Sequence, residues 1–292
     1  MIPLLAGLAL AAAPSPTIVT TDVDRFFRIY GAAQGHPGVA DLQAYVDDGS
    51  PGLHDFARLR ALSGETIEKA IARKPAVYER ARSCAPVLPR VRQRLSAALE
   101  RLAKRYPPAT FPPITILIGR NSTGGTTSPT GVLIGLEMLC SADYLEPDIE
   151  SRFVHVIAHE YAHVQQPGAA VESPDVPLLF VAMIEGGAEF VGELTSGGVS
   201  YQHLRRWTKG HEAEILARFA AERSKTDTSD WLYNGPGDPA HPGDLAYWVG
   251  YRIAKAYYSR AADKKRALAE IIAVTPSTAE TIYQASGLAP GQ

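Results

Sequence analysis

The sequence predicts a predominantly helical α+β fold with one small antiparallel or mixed sheet. Three observations carry that expectation. Apolar residues recur at helical spacing through most of the chain. One β-branched stretch, Ile114-Thr115-Ile116-Leu117-Ile118, breaks that pattern. Glycine and proline punctuation divides the helical parts into short segments. With 292 residues, 46% hydrophobic and 21% charged, the chain has an ordinary globular composition and can bury a substantial core. A formal net charge of −2 points to neither nucleic acid nor an anionic membrane as partner.

Residues 2–13 are apolar and small and run into Pro14-Ser15-Pro16. Such a run is too short to cross a bilayer but fits the apolar core of a signal peptide. Ala9, Ala11 and Ala13 offer a cleavage site, although no Lys or Arg precedes the run. Residues 1–16 are therefore expected to be a signal peptide, and the mature chain to be periplasmic or secreted without stable membrane insertion. No cysteine follows the apolar run, so no lipid anchor is indicated. Cys84 and Cys140 are too few for a cysteine-based metal site. They either pair or remain as two buried thiols.

Residues 17–107 read as a helical N-terminal region. Asp22 or Asp24 could cap its first helix, which carries Phe26, Phe27 and Tyr30. Breaks fall at His36-Pro37-Gly38, Gly49-Ser50-Pro51-Gly52 and Ser63-Gly64. Pro89 sits near the start of a long amphipathic helix. There Arg90, Arg92, Arg94, Arg101 and Arg105 form the solvated face, and Val91, Leu95, Ala98, Leu99 and Leu102 the apolar one.

Residues 108–292 form a second region. The strand at 114–118 leads through a polar loop, Asn121 to Thr130, into a second strand-like run, Gly131 to Leu139. The two runs are expected to pair antiparallel. A helix should start near Pro147 and pass His163 to stop at Pro167-Gly168. Another should run from Pro177 to Thr195, and a third helical stretch from Tyr201 to Arg223. After a Gly/Pro-rich loop, Asp227 to Gly243, Asp244 looks like the N-cap of a helix reaching Arg260.

The chemistry lies in His159-Glu160-Tyr161-Ala162-His163, an H-E-x-x-H pattern. Residues four apart share a helix face, so both imidazoles can hold one ion, zinc being the expected cofactor. Glu160, next to the first ligand, is then the base that takes a proton from water activated by the ion. The flanking residues, from Phe153 to Val164, are apolar nearly all round. Two histidines and a glutamate buried there need partners, and a metal supplies one. Catalytic zinc takes a third protein ligand. The segment Ile184-Glu185-Gly186-Gly187-Ala188-Glu189 offers two carboxylates one turn apart at the edge of an apolar stripe. Its small residues would let that helix approach the first. Glu193, a further turn along, reads as surface, and His155 as a core or supporting histidine.

These two segments together resemble the gluzincin clan of zinc metallopeptidases. More closely, with Asp22-Val-Asp-Arg-Phe-Phe and Tyr247-Trp-Val-Gly-Tyr-Arg-Ile, the chain is similar to the DUF2268 family of predicted zinc-dependent proteases. The resemblance implies a zincin-like core with an active-site helix. It implies Glu185 as third ligand and Glu189 as the carboxylate that holds the far nitrogen of one histidine. It also implies a donor for the oxyanion from a later helix, for which Tyr251 and Tyr247 are the candidates and His241 the outsider. The substrate would be a peptide or protein, laid along an edge strand in the place of Gly131 to Leu139. The alternatives are a zinc-stabilised binding protein without peptidase activity, closed by a fourth ligand such as His155 or His241, and a zinc amidase or esterase on a non-peptide substrate.

Overall fold

The computed structural model of the protein describes residues 17–168 and 175–289. The expected signal peptide lies outside them. Five helices lead: α1 (Thr21–Ala32), α2 (Val39–Asp47), α3 (Pro51–Arg60), α4 (Gly64–Arg73) and α5 (Pro75–Cys84). After a 3-10 turn at residues 85–87 comes the long α6 (Leu88–Arg105). The punctuation sets their ends. Ser50 caps α3 by accepting from the Leu53 N–H, with Pro51 in the first turn. Ser63 and Thr66 cap α4 reciprocally. Asp22, by contrast, does not cap α1. It is buried in the first turn, where it accepts from the Ser50 N–H at 3.1 Å and the Ser50 hydroxyl at 2.6 Å. That carboxylate ties α1 to the start of α3.

The sheet has four strands in the order β1 (Ile18–Val19), β2 (Ile114–Leu117), β4 (Gly131–Gly135) and β3 (Gly125–Ser128). It is mixed. β1, β2 and β4 run parallel, and β3 pairs antiparallel with β4. The expected antiparallel pairing of the two apolar strands is thus corrected: Ile114 faces Val132 in parallel register. The reason lies in the loop between them, whose residues Gly125–Ser128 form a strand. The chain reverses once to enter β3 and again at Pro129-Thr130, so β4 returns in the direction of β2.

The run from Gly131 does not reach Leu139 as a strand either. It ends at Gly135, and α7 (Leu136–Ser141) follows at once. Cys140 on α7 is disulfide-bonded to Cys84 at the end of α5, which settles the choice between a pair and two thiols. All of β4 is buried between its neighbours, and the half-buried β3 is the edge strand on that side of the sheet.

Helices make up the rest of the fold: α8 (Ile149–Gln165), α9 (Leu178–Ser196), α10 (Gln202–Trp207), α11 (Glu212–Glu222), α12 (Leu245–Arg260), α13 (Lys264–Ile272) and α14 (Pro276–Ser286). One apolar core joins α1 to α6, the sheet and α8; a second joins α9 to the C-terminal helices. α9 lies between them. A Cβ on Gly250 of α12 would overlap the Ala182 carbonyl, and one on Gly186 would overlap the Tyr251 backbone. Gly186 therefore admits α12, while Gly187 faces Ile271 of α13. The face of α9 toward α8 is the row Glu185, Glu189 and Gly192, where Gly192 lies against the His159 backbone. Among the described residues, no helix is long and apolar enough to cross a membrane.

Candidate metal centre

α8 is anchored firmly at its start. Asp148 caps it through the Ser151 N–H at 2.8 Å. Arg152, wholly buried, donates to the Leu139 carbonyl at 2.6 Å and to the Asp143 carboxylate at 2.8 Å. Two turns on, His159 and His163 project from one face of the helix. Their Nε2 atoms are 2.9 Å apart. Glu185 of α9 brings Oε2 to 3.2 Å from His163 Nε2 and 3.5 Å from His159 Nε2.

These three atoms form a nearly equilateral triangle. Tetrahedral zinc with bonds of about 2.0–2.1 Å needs donor atoms about 3.3 Å apart. The donor set, two neutral-capable imidazoles and a carboxylate, therefore fits zinc in both chemistry and spacing. Among the described residues these three could hold a metal ion together.

The remaining atoms of the three side chains are turned outward and occupied. His159 Nδ1 lies 2.8 Å from Glu189 Oε1, close enough for an ion pair but without the alignment of a good hydrogen bond. Glu189 is itself held by the Ser200 hydroxyl and by the Tyr201 N–H at 3.2 Å. His163 Nδ1 lies 2.7 Å from Gln166 Oε1, and Gln166 donates to the Ile184 carbonyl at 2.9 Å. Glu185 Oε1 accepts from the Tyr233 hydroxyl at 2.7 Å. With both Nδ1 atoms engaged, both Nε2 atoms face the same point.

Electrostatics sharpen the arrangement. Burial alone would depress His159, but Glu185 and Glu189 outweigh it and hold the imidazole well above its usual range. Burial likewise opposes ionisation of Glu185, and the two histidines overcome it to keep the carboxyl well below its usual value. Two buried carboxylates around two imidazoles make a pocket that favours positive charge. Glu160, beside them, is raised by burial, with His163 and His159 opposing. No protein group hydrogen-bonds its carboxylate among the described residues. Gly125 of β3 passes so close that any Cβ there would collide with the Glu160 carboxyl group. The absence of a side chain at Gly125 leaves the carboxylate its room.

The chain belongs to the DUF2268 family. It matches that family, described as a predicted Zn-dependent protease, over residues 113–282. No curated protein and no solved structure shows a significant match to the chain. The DUF2268 segment contains every residue of the metal centre and Tyr247-Trp-Val-Gly-Tyr-Arg-Ile. The Asp22 stretch that also carried the resemblance lies before it.

The two tyrosines expected to serve the oxyanion have different surroundings. The Tyr247 ring lies 6.0 Å from that of His159 and stacks on Tyr201 at 4.1 Å. The hydroxyl of Tyr251, the preferred oxyanion donor, one turn further along α12, bonds Glu193 at 2.9 Å, Lys255 at 2.7 Å and Arg205. Glu193 is correspondingly the centre of an ionic cluster with Arg205 and Lys255, not a free surface carboxylate. His155 is in the core with Nδ1 on the Ser196 hydroxyl, and His241 is exposed beside Asp238.

Two residues of the site escaped sequence reasoning. Gln166 had a usable signal, since it follows His163 by three residues and shares its side of the chain. Tyr233 had none. It sits in the loop before α12 with a left-handed backbone, φ +59°. Reciprocal bonds between Asn234 and Asp244 hold that loop, at 2.7 and 3.2 Å. The Asp244 side chain, expected to cap α12, is spent on this task instead.

Proposed function

We propose that the protein is a zinc metallopeptidase that hydrolyses peptide bonds in the periplasm or outside the cell. The observation that carries this reading is the convergence of His159 Nε2, His163 Nε2 and Glu185 Oε2 beside an unbonded, buried Glu160. Zinc held there would polarise the scissile carbonyl and lower the pKa of water. Glu160, with its carboxyl raised by burial, takes the proton of the attacking water and returns it to the leaving amine. Tyr247, and Tyr233 once its hydroxyl leaves Glu185, are the donors near enough to serve the oxyanion.

The substrate backbone has a natural track. β3 is an edge strand, and its Gly125 touches Glu160, so an extended peptide paired with β3 passes over the metal ligands. This role moves from the run Gly131 to Leu139, whose strand part is interior, to the segment before it. The histidines that could close the site as a fourth ligand, His155 and His241, are engaged elsewhere, which favours an open, catalytic centre over a purely structural one. The Cys84–Cys140 bond agrees with an oxidising compartment.

The test is cleavage of pooled fluorogenic peptides by the zinc-loaded protein, with Glu160→Gln as control. Wild type should cleave at least one pool, and the variant should be slower by about 100-fold or more. Wild-type protein with bound zinc and no cleavage of any pool would contradict the peptidase assignment.

A further inference from the structure

Arg60, the last residue of α3, lies outside the family match and reaches the same edge strand, β3. One guanidinium nitrogen donates to the Thr126 hydroxyl at 2.8 Å, and Nε is buried without a partner. Arg120 follows β2 and donates from its own Nε to the Arg60 carbonyl at 3.3 Å. No carboxylate lies within ion-pairing distance of either arginine among the described residues. Other arginines that reach between elements find a carboxylate, as Arg94 does with Asp148 and Glu150, or Arg205 with Glu193. The nearest acid on α3, Asp55, is taken up by Arg58 and the Thr130 hydroxyl.

Position on the strand gives this unmatched charge a use. Gly125 faces Glu160, so Thr126, the next residue, faces the opposite side of β3. A peptide added to the β3 edge would also alternate, sending every second side chain toward Thr126 and Arg60.

We propose that Arg60, supported by Arg120, binds a carboxylate of the substrate, so that the site selects peptides bearing an acidic side chain or a free C-terminus at that position. The proposal rests on the peptidase reading and gives it a substrate class. An arginine with free donors beside a strand-binding edge is suited to carboxylate recognition through paired N–H groups. A role limited to bracing Thr126 needs one donor and no charge.

The experiment measures binding without turnover. Zinc-loaded Glu160→Gln protein is titrated by fluorescence anisotropy with four matched octapeptide pools. The pools carry Glu or Gln at alternate positions and end in a free acid or an amide. The Glu/Gln contrast reports a side chain, the acid/amide contrast a C-terminus. One of them should favour the carboxylate by roughly tenfold. Adding Arg60→Gln, which keeps a donor for Thr126, should bring that ratio to near unity, while Arg60→Lys should retain part of it. Equal affinities for all four pools, a ratio that survives Arg60→Gln, or no binding of any pool would overturn the proposal. Cleavage of the same pools by protein retaining Glu160 is scored separately. Charge-selective binding without any cleavage would contradict the peptidase reading and leave carboxylate recognition standing.

Discussion

Gln166 Oε1 lies 2.7 Å from His163 Nδ1, and through its other end Gln166 holds the carbonyl of Ile184, the residue before Glu185. One amide therefore fixes the tautomer of one ligand and the distance to the helix that supplies another. Gln166→Leu keeps the volume but removes both bonds. Zinc affinity should fall by about 10- to 100-fold, measured by competition with a chromogenic chelator. Affinity equal to wild type would mean that His163 is oriented by its packing alone.

Gly125 is predicted to matter for chemistry and not for metal binding. A methyl group there collides with the Glu160 carboxyl group. In Gly125→Ala the carboxylate must move, and displacement of a base by about 1 Å costs on the order of 100-fold in rate. Zinc content, measured alongside peptide cleavage, should stay near that of wild type. Loss of zinc in this variant would show that β3 braces the ligands as well.

Much of this centre was legible because helical spacing is rigid. His159 and His163 must share a face whatever surrounds them, and Glu160 must stand beside it. The resemblance then chose Glu185 over Glu189, which are equivalent by periodicity. Where tertiary packing decides, periodicity is silent. Tyr247 and Tyr251 are one turn apart on the same apolar helix, and only the crossing of α9 and α12 at Gly186 and Gly250 sends one to His159 and the other to Glu193. β3 was hidden for a different reason. Gly125-Thr126-Thr127-Ser128 is wholly polar and shows no apolar alternation, and its strand conformation is fixed by its pairing with β4. Tyr233 is placed by loop geometry, which leaves no periodic trace.

The Cys84–Cys140 bond closes a loop spanning a sequence separation of 56 residues and joins α5 to α7. On the chain-entropy estimate it contributes about 4 kcal/mol. The Cys84→Ser/Cys140→Ser protein should lose roughly that much in urea unfolding at neutral pH. A loss below about 1 kcal/mol would mean that the reduced chain is already restrained by the packing of α5 on α7.

His203 makes stability depend on pH away from the metal. It is fully buried among Tyr144, Tyr201 and Trp207, with neither ring nitrogen bonded. Burial lowers its pKa from 6.5 to about 4. The unfolded chain therefore binds the proton more readily than the folded one between these values. The stabilisation is complete above about pH 6.5 and is lost as pH falls toward 4, a loss of about 3 kcal/mol. His203→Phe, unfolded by urea at pH 7 and pH 4.5, should lack that part of the decline. Parallel losses in variant and wild type would place the acid sensitivity elsewhere.

His159, His163 and Glu185 are expected to hold one zinc ion, and metal content is the measurement that decides it. Protein purified without chelator and supplemented with zinc should carry about one zinc per chain. Occupancy should drop in His163→Ala and Glu185→Gln, yet persist in Glu160→Gln, because Glu160 serves the reaction and not the ion. A wild-type chain without zinc, or undiminished zinc in Glu185→Gln, would contradict the account.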